Sequence, residues 1–320
     1  MKTELEAVVQ ALAEAPSVAV LSHVFPEGDA IGASLAAMLA LEAAGKRAGA
    51  YNAGPLPAAL RHLPAGGRLR PAPERPYACY LVLDTTEPER TGGLLDGRAP
   101  GSRVLNVDHH PGNTRFGDVN WVDPQASSAG EMVYRICRTG GFPLSPDVAA
   151  NLYAAILTDT GGFRYSNTTP EALRTGAALV AAGAVPEAVG VSLSAHRDPR
   201  EFELLRLALA ELRVSPDGTL GWITVTRTAQ QAAGVGLEAA EDFVQYPRSL
   251  EGVRVALAFK EAAPDEVKVS LRSHGTTDVA ALARRFGGGG HRNAAGCTLR
   301  ADLATAQATM LQAAAELVRA

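Results

Sequence analysis

Cysteine is scarce: Cys79, Cys137 and Cys297 are the only three in 320 residues, far apart and without a Cys-x-x-Cys pair. That spacing argues against both a disulfide framework and a thiolate zinc site, and it fits a reducing cytoplasm. Long apolar runs are missing as well. No window approaches the roughly 18 uncharged apolar residues of a membrane span, so a soluble protein without membrane association is expected. The first residues carry Glu4 and Glu6 instead of a basic stretch leading into an apolar run, and no signal peptide is expected. Lysine occurs only at Lys2, Lys46, Lys260 and Lys268, which leaves basic charge almost wholly to arginine. There is no basic excess: the formal charge is -4, which argues against a stable complex with long nucleic acid held by bulk electrostatics. A small anionic substrate needs only a local positive cluster and stays open.

What remains is an ordinary globular composition, 47% apolar and 20% charged, in a chain long enough for two domains with substantial cores. Residues 3–14 have helical spacing at Leu5, Val8, Val9 and Leu12, and Val18 to Leu21 then reads as a buried strand. A loop from His23 to Asp29 precedes an Ala- and Leu-rich helix over 30–44. Tyr80 to Leu83 and Val104 to Val107 are further apolar strands, ending at Asp84 and Asp108. Alternating strands and helices with polar groups at strand ends predict an open, mostly parallel sheet whose ligands lie beyond the C-terminal ends of its strands.

Ser128-Ala129-Gly130-Glu131 matches a capping box, and Ser145-Pro146-Asp147 signals a helix running to Asp159, where Thr160-Gly161-Gly162 breaks it. Helices are expected over 171–182 and 198–212, then a turn at Ser215-Pro216-Asp217-Gly218. Beyond it, strands are expected over 220–226, 252–259 and 266–272, a helix over 278–285, a loop holding Gly287 to His291, and a last helix over 301–320. This half reads as a smaller mixed α/β domain.

The chemistry-bearing residues gather at those strand and helix ends. His23, Glu27 and Asp29 fall within one turn, with Gly28 there to permit a sharp bend. Asp84 follows a wholly apolar run, and Asp108-His109-His110 follows the largely apolar run Val104 to Val107. In a loop, adjacent histidines point in different directions, so one can ligate metal while the other faces substrate. So many carboxylates and imidazoles brought together would repel and lose hydration, a cost that bound cations offset. Oxygen and nitrogen donors without thiolates suit Mn²⁺ or Mg²⁺, with Co²⁺ or Zn²⁺ as alternatives. The donors are too many for one ion. A pair of ions about 3.5 to 4 Å apart, with Asp84 as the bridge, is the arrangement used for phosphoryl displacement.

Gly287-Gly288-Gly289-Gly290-His291 is the second feature. Consecutive glycine N–H groups allow close approach of phosphate oxygens. Arg272-Ser273, at the end of the preceding strand, adds a guanidinium that can grip phosphate. His274 lies near enough to be a further substrate contact, while His62 and His196 belong to no interpretable spacing. Trp121 and Trp222 read as packing residues.

Taken together, these motifs resemble the DHH phosphoesterase superfamily, specifically members that join a DHH domain to a DHH-associated domain carrying a Gly-Gly-Gly-Gly-His loop. His23 to Asp29 with Ala30-Ile31-Gly32 resembles the first family motif. Asp84, Asp108-His109-His110 and Asp159-Thr160-Gly161 resemble the next three, and Arg272-Ser273 with Gly287 to Gly296 resembles the associated domain's signature. The resemblance implies a DHH domain over 1–190, a helical linker over 191–215 and a substrate-binding domain over 216–320.

Length and spacing are similar to the nanoRNase group, which cleaves short RNA and dephosphorylates 3′-phosphoadenosine 5′-phosphate. The resemblance implies two divalent cations, most simply Mn²⁺, one held by His23, Glu27 and Asp84 and the other by Asp29, Asp84, His109 and Asp159. His110 would contact the scissile phosphate, Asp108 would orient the imidazoles, and Arg272, Ser273, Gly288, Gly289, Gly290 and His291 would hold the rest of the nucleotide. Closure between the domains would gate access, and a homodimer is compatible with the pattern. One departure is Glu27, where the family usually has Asp. Hydrolysis of cyclic or linear dinucleotides is the alternative within the superfamily, and a nucleotide-binding regulator impaired by Glu27 is the alternative outside catalysis.

Overall fold

The structure is a computed structural model that describes residues 2–194 and 198–319; His196 and its neighbours at 195 and 197 lie outside the described residues. Two compact units divide the chain, Met1–His196 and Arg197–Ala320.

The first unit begins with α1 (Glu4–Glu14), opened by a capping box between Thr3 and Glu6, and then β1 (Ser17–Leu21). Next come α2 (Gly28–Ala43), β2 (Arg47–Tyr51), β3 (Cys79–Leu83), β4 (Arg103–Asp108) and β5 (Val119–Val122). Four helices follow: α3 (Ala129–Gly140), α4 (Pro146–Asp159), α5 (Pro170–Ala181) and α6 (Pro186–Ser194). The strands form a parallel sheet in the order β2-β1-β3-β4-β5. Since β1 is followed by β2 on one side and β3 on the other, the winding reverses at β1, where ligands of open α/β sheets bind.

Alternation along the strands separates the two faces of this sheet. Val18, Val20, Leu81, Leu83, Leu105 and Val107 join the main core with α1 to α4. Ala19, Leu21, Tyr80, Val82 and Val104 face a smaller cluster with Tyr51, Tyr77 and Leu95. Helix α2 is buried on nearly every side, as its apolar sequence requires. It packs closely on α4: a side chain at Gly32 would meet the Asn151 carbonyl oxygen at 2.6 Å.

Several elements differ from expectation. β2 and β5 escape a search for apolar runs because each is short and partly exposed. Helix α6 is not among the expected elements, although its last residues fall within the expected helical linker over 191–215. At α3, Ser128 accepts from the Glu131 N–H as expected, but the Glu131 carboxylate turns to Ser127 instead of the cap backbone.

The second unit contains α7 (Pro199–Ala210), capped by Asp198, the short β6 (Arg213–Val214), β7 (Leu220–Val225), α8 (Arg227–Ala233) and α9 (Gln245–Arg248). It continues with β8 (Val255–Ala263), β9 (Glu266–Ser273), α10 (Val279–Arg284), β10 (Gly289–His291), β11 (Ala294–Leu299) and α11 (Leu303–Arg319). The mixed sheet runs β10-β11-β9-β8-β7-β6. α10 and α11 pack on one face, and Leu204 and Ala208 of α7 belong to the core on the other. Residues of the expected linker are thus divided between the two units. All three cysteines are free and buried. Among the described residues no single helix is long and apolar enough to cross a membrane.

Candidate functional site

Three adjacent parallel strands deliver the cluster. His23 follows β1, Asp84 terminates β3, and Asp108, His109 and His110 sit at the end of β4. Asp29 occupies the first turn of α2, and Asp159 is the last residue of α4. Apolar strands end here because the next residue must reach the sheet edge.

Asp84 lies at the centre. His23 Nε2 is 3.4 Å from its Oδ2, and His109 Nε2 and His110 Nδ1 are 3.3 and 3.4 Å from its Oδ1. His109 Nε2 also lies 3.7 Å from Asp29 Oδ2 and 3.8 Å from Asp159 Oδ2. Donor atoms of His23, Glu27 and Asp84 fall within 4.8 Å of one another, as do those of Asp29, His109 and Asp159, and those of Asp84, Asp108, His109 and His110. Glu27 is exposed, whereas His23, Asp29, Asp84 and His109 are buried.

Both Asp84 oxygens are buried and make no hydrogen bond. Buried carboxylate oxygens without hydrogen bonds are rare, and here the three imidazoles at 3.3–3.4 Å offset the lost hydration. Its backbone is also held at φ 53°, a left-handed conformation that a non-glycine residue adopts at a cost of about 1–3 kcal/mol. A strained, unsolvated carboxylate ringed by imidazoles and acids suits a cation, and the oxygen–nitrogen donor set is the kind that hard and borderline divalent ions take.

The charges agree with that. Burial opposes ionisation of Asp84, yet His109, His23 and His110 hold its carboxyl well below the usual range. Burial and the charges of Asp84 and Asp159 drive Asp29 well above its usual range. Asp159 is pushed up to about 7 by burial, with Glu27 and Asp84 adding to the rise and His109 opposing it. Burial alone would lower the His109 imidazole, but Asp84, Asp159 and Asp29 raise it well above its ordinary value.

Four asparagines that the sequence reading did not single out fix the cluster. Asn52, just past β2, donates to Ser22 Oγ at 2.9 Å and to the His23 carbonyl at 2.8 Å. His23 Nδ1 lies 2.8 Å from the Val24 carbonyl, which sets that nitrogen as the donor and turns Nε2 to Asp84. Asn167 reaches Asp159 Oδ2 at 3.2 Å and the carbonyls of Asp159 and Ser127. Asn106 and Asn113 both donate to the Thr85 carbonyl at 3.0 Å. For Asn106, Asn113 and Asn167 the only sequence signal is proximity to Asp108 or Asp159, and Asn52 has none.

Gly28 needs correction. It is not among the positive-φ residues, so no sharp bend requires it; instead a Cβ there would come within 2.5 Å of the Thr158 side chain on α4.

In the second unit, Arg272 lies on β9 between Ala256 and Ala294 of the neighbouring strands, and its Nε is buried without a hydrogen bond. Ser273 is a correction: it is buried, its hydroxyl donates to the Thr277 carbonyl at 2.7 Å and accepts from Asn293 at 2.8 Å, so it braces a turn. The glycine run is not simply a loop. Gly289–His291 is edge strand β10, paired with Ala294–Gly296. The N–H groups of Gly287 and Gly288 bond the Arg284 and Ala283 carbonyls at the end of α10, so they do not form an open phosphate nest. A Cβ on Gly288 would meet the Gly296 carbonyl oxygen at 2.1 Å, and one on Gly290 the Ala294 oxygen at 2.5 Å; at Gly289 there is open space. His291 is half-buried. His274 is exposed, with Nε2 3.0 Å from the Arg248 carbonyl, and His62 is exposed. Trp121 is buried, stacked under the Arg135 guanidinium at 4.8 Å.

Comparison with known proteins follows the same division. Residues 17–156 match the model of the DHH family N-terminal domain, and residues 226–320 match the DHHA1 domain. The chain is 37% identical over 319 residues to the bifunctional oligoribonuclease and PAP phosphatase NrnA of Thermus thermophilus, covering 98% of this chain and 94% of that protein. The chain belongs to the DHH family. A second DHH relative, the protein of the same description from Bacillus subtilis, is 29% identical, covering 69% of this chain and 70% of its own length. A solved structure of an exopolyphosphatase-related protein from Bacteroides fragilis matches with a TM-score of 0.88 and 25% identity, over 97% of this chain and 95% of that one.

Proposed function

We propose that the protein is a two-metal phosphohydrolase that cleaves short oligoribonucleotides to mononucleotides and removes phosphate from 3′-phosphoadenosine 5′-phosphate. The observation that carries the reading is Asp84, a buried carboxylate with both oxygens unbonded among His23, His109 and His110. The relative named an oligoribonuclease and PAP phosphatase, similar over nearly the full length of both chains, supports the substrates.

His23, Glu27 and Asp84 would hold one cation, and Asp29, Asp84, His109 and Asp159 would hold the other. The donor set favours Mn²⁺, with Mg²⁺ or Co²⁺ as alternatives. When bound, paired ions supply Lewis acidity to phosphoryl oxygens and acidify the attacking water. The chain's own residues do the rest. His110 faces the scissile phosphate and is oriented by Asp108, whose Oδ1 lies 2.8 Å from His110 Nδ1. In the second unit, Arg272 and His291 are the candidate contacts to a phosphate group of a short nucleotide. A cytoplasmic enzyme is consistent with the reduced cysteines.

Purified protein with Mn²⁺ should release mononucleotides from a diribonucleotide and phosphate from 3′-phosphoadenosine 5′-phosphate. A side-by-side panel with cyclic dinucleotides tests the substrate class, and turnover confined to the cyclic compounds would refute the reading.

A further inference from the structure

Arg90 belongs to a short 3₁₀ turn, Pro88–Thr91, in the segment that leaves the end of β3 after Asp84. That turn is bound to the loop carrying His23. The Val24 N–H donates to the Arg90 carbonyl at 2.7 Å, and the Arg90 N–H donates to the Glu87 carbonyl at 3.2 Å. Thr91 is fully buried, with its hydroxyl donating to the Pro88 carbonyl at 2.7 Å. A Cβ on Gly92 would lie 2.7 Å from Val24 Cγ1 and 2.9 Å from the Ala53 Cβ, so the two segments are in close contact. The Arg90 backbone therefore has a fixed place beside the His23 loop.

Its side chain is half-buried, and among the described residues the guanidinium makes no hydrogen bond or ion pair. Glu87 and Glu89 are exposed neighbours in sequence, yet Arg90 pairs with neither. Its charge is felt at the cluster instead. Burial lowers the His23 imidazole, Asp84 and Glu27 raise it above its ordinary value, and Arg90 works against that rise. A guanidinium carries five N–H donors in a planar fork, and leaving them unmatched in a partly desolvated place costs free energy. Phosphate is an anion whose geometry that fork fits.

Charge balance points the same way. Glu27, Asp29, Asp84 and Asp159 bring four negative charges to the cluster, which two divalent ions would cancel. A phosphate arriving there gains little from the net charge of the loaded centre, and a separate cation at its edge supplies the missing attraction.

We propose that Arg90 is a further substrate-binding residue, which grips an oxygen of the phosphate seated at the metal cluster from the His23 side. That the anion belongs to a phosphate ester rests on the phosphohydrolase reading.

The test uses full-length protein loaded with Mn²⁺ and dialysed free of unbound metal, with inorganic phosphate as the probe. Arg90→Ala should weaken phosphate binding about 10- to 100-fold by calorimetry and raise KM for 3′-phosphoadenosine 5′-phosphate by a similar factor. Bound Mn²⁺ should stay at the wild-type level, which separates the contact from metal ligation. Arg90→Gln keeps much of the stem without the charge, covers the case in which the alanine variant does not fold, and should weaken phosphate to the same degree. Dilute guanidinium should restore part of the lost turnover in Arg90→Ala, as a merely structural role would not allow. Arg75→Ala removes an exposed arginine ahead of β3, at the opposite edge of the sheet, and should leave phosphate affinity unchanged. Wild-type phosphate affinity in the Arg90 variants overturns the proposal, as does an equal loss in Arg75→Ala or a loss that follows a fall in bound Mn²⁺. If phosphate binding depends on Arg90 while the wild type hydrolyses none of the phosphate esters, the phosphohydrolase reading fails and the contact stands. If the wild type hydrolyses them and the Arg90 variants do so with the same KM, the contact fails and that reading stands.

Discussion

Asp29 receives the first two N–H groups of α3 through Ala129 and Gly130: Oδ2 is 2.7 Å from the Ala129 nitrogen and Oδ1 is 2.8 Å from that of Gly130. A carboxylate of the acidic cluster thus also caps a helix about one hundred residues away in sequence. The helix N-terminus favours its negative charge, while burial and the charges of Asp84 and Asp159 oppose it. Gly130 lets α3 pack closely on α4, since a Cβ there would lie 2.4 Å from that of Ala155.

Asp29→Asn should therefore weaken the fold as well as the metal site. The amide turns one N–H group toward a backbone donor, and the lost cap should cost about 1–2 kcal/mol. Urea unfolding of the metal-free protein reads this directly; a midpoint equal to the wild type's would contradict the capping role.

Removing the central carboxylate tests the shared donor. Asp84→Ala should lower bound Mn²⁺ and reduce kcat by more than about 100-fold, beyond the range of outer-sphere partners. Metal content after dialysis and turnover check it together, and normal activity would refute the bridge.

Cation affinity should rise with pH. Asp159, with its carboxyl pushed up to about 7, carries a proton below that pH in the metal-free protein, and Asp29, raised well above its usual range, adds in the same direction. A divalent ion must displace these protons, so acidification weakens binding and alkalinisation strengthens it through about pH 7. Calorimetry in two buffers of different ionisation enthalpy should detect proton release near neutrality. Affinity that is flat with pH would argue against these two ligands.

Arg272→Ala should act on binding more than on chemistry. Loss of a charge-assisted bond of about 1.5–3 kcal/mol predicts a KM roughly 10- to 100-fold higher with kcat less affected. An unchanged KM would remove Arg272 from the substrate's path.

Neighbouring glycines should respond oppositely. Gly288→Ala drives a Cβ into the Gly296 carbonyl and should destabilise the protein by about 1–3 kcal/mol, whereas Gly289→Ala enters open space. Thermal melts of the two variants check this, and equal losses would refute the packing account.

Much of this architecture is readable in the chain. β1 and β3 are apolar runs, and β4 is one broken only by Asn106, because both faces of a parallel sheet are covered, and each points to the acidic or imidazole residue at its end. Ser145-Pro146 marks the start of α4 correctly, and so Asp159 at its last residue. β2 and β5 are hidden because Arg47–Tyr51 and Val119–Val122 are short and only partly buried. Glycines mislead, since a gap in side chains signals flexibility and close packing alike: Gly28 and Gly288 are there to avoid overlap with Thr158 and Gly296. Asn52, Asn106, Asn113 and Asn167 carry no periodicity at all, and their roles emerge only when distant carbonyls and carboxylates converge.

The left-handed turn at Asp84 has one more consequence. Its peptide is pinned on both sides, by the Asp84 N–H on the Val107 carbonyl at 3.1 Å and by two amides on the Thr85 carbonyl. The cradle is therefore built during folding and does not wait for its guest. A cation bound there would meet Asp84 already held in place, with the entropy of arranging it spent in advance.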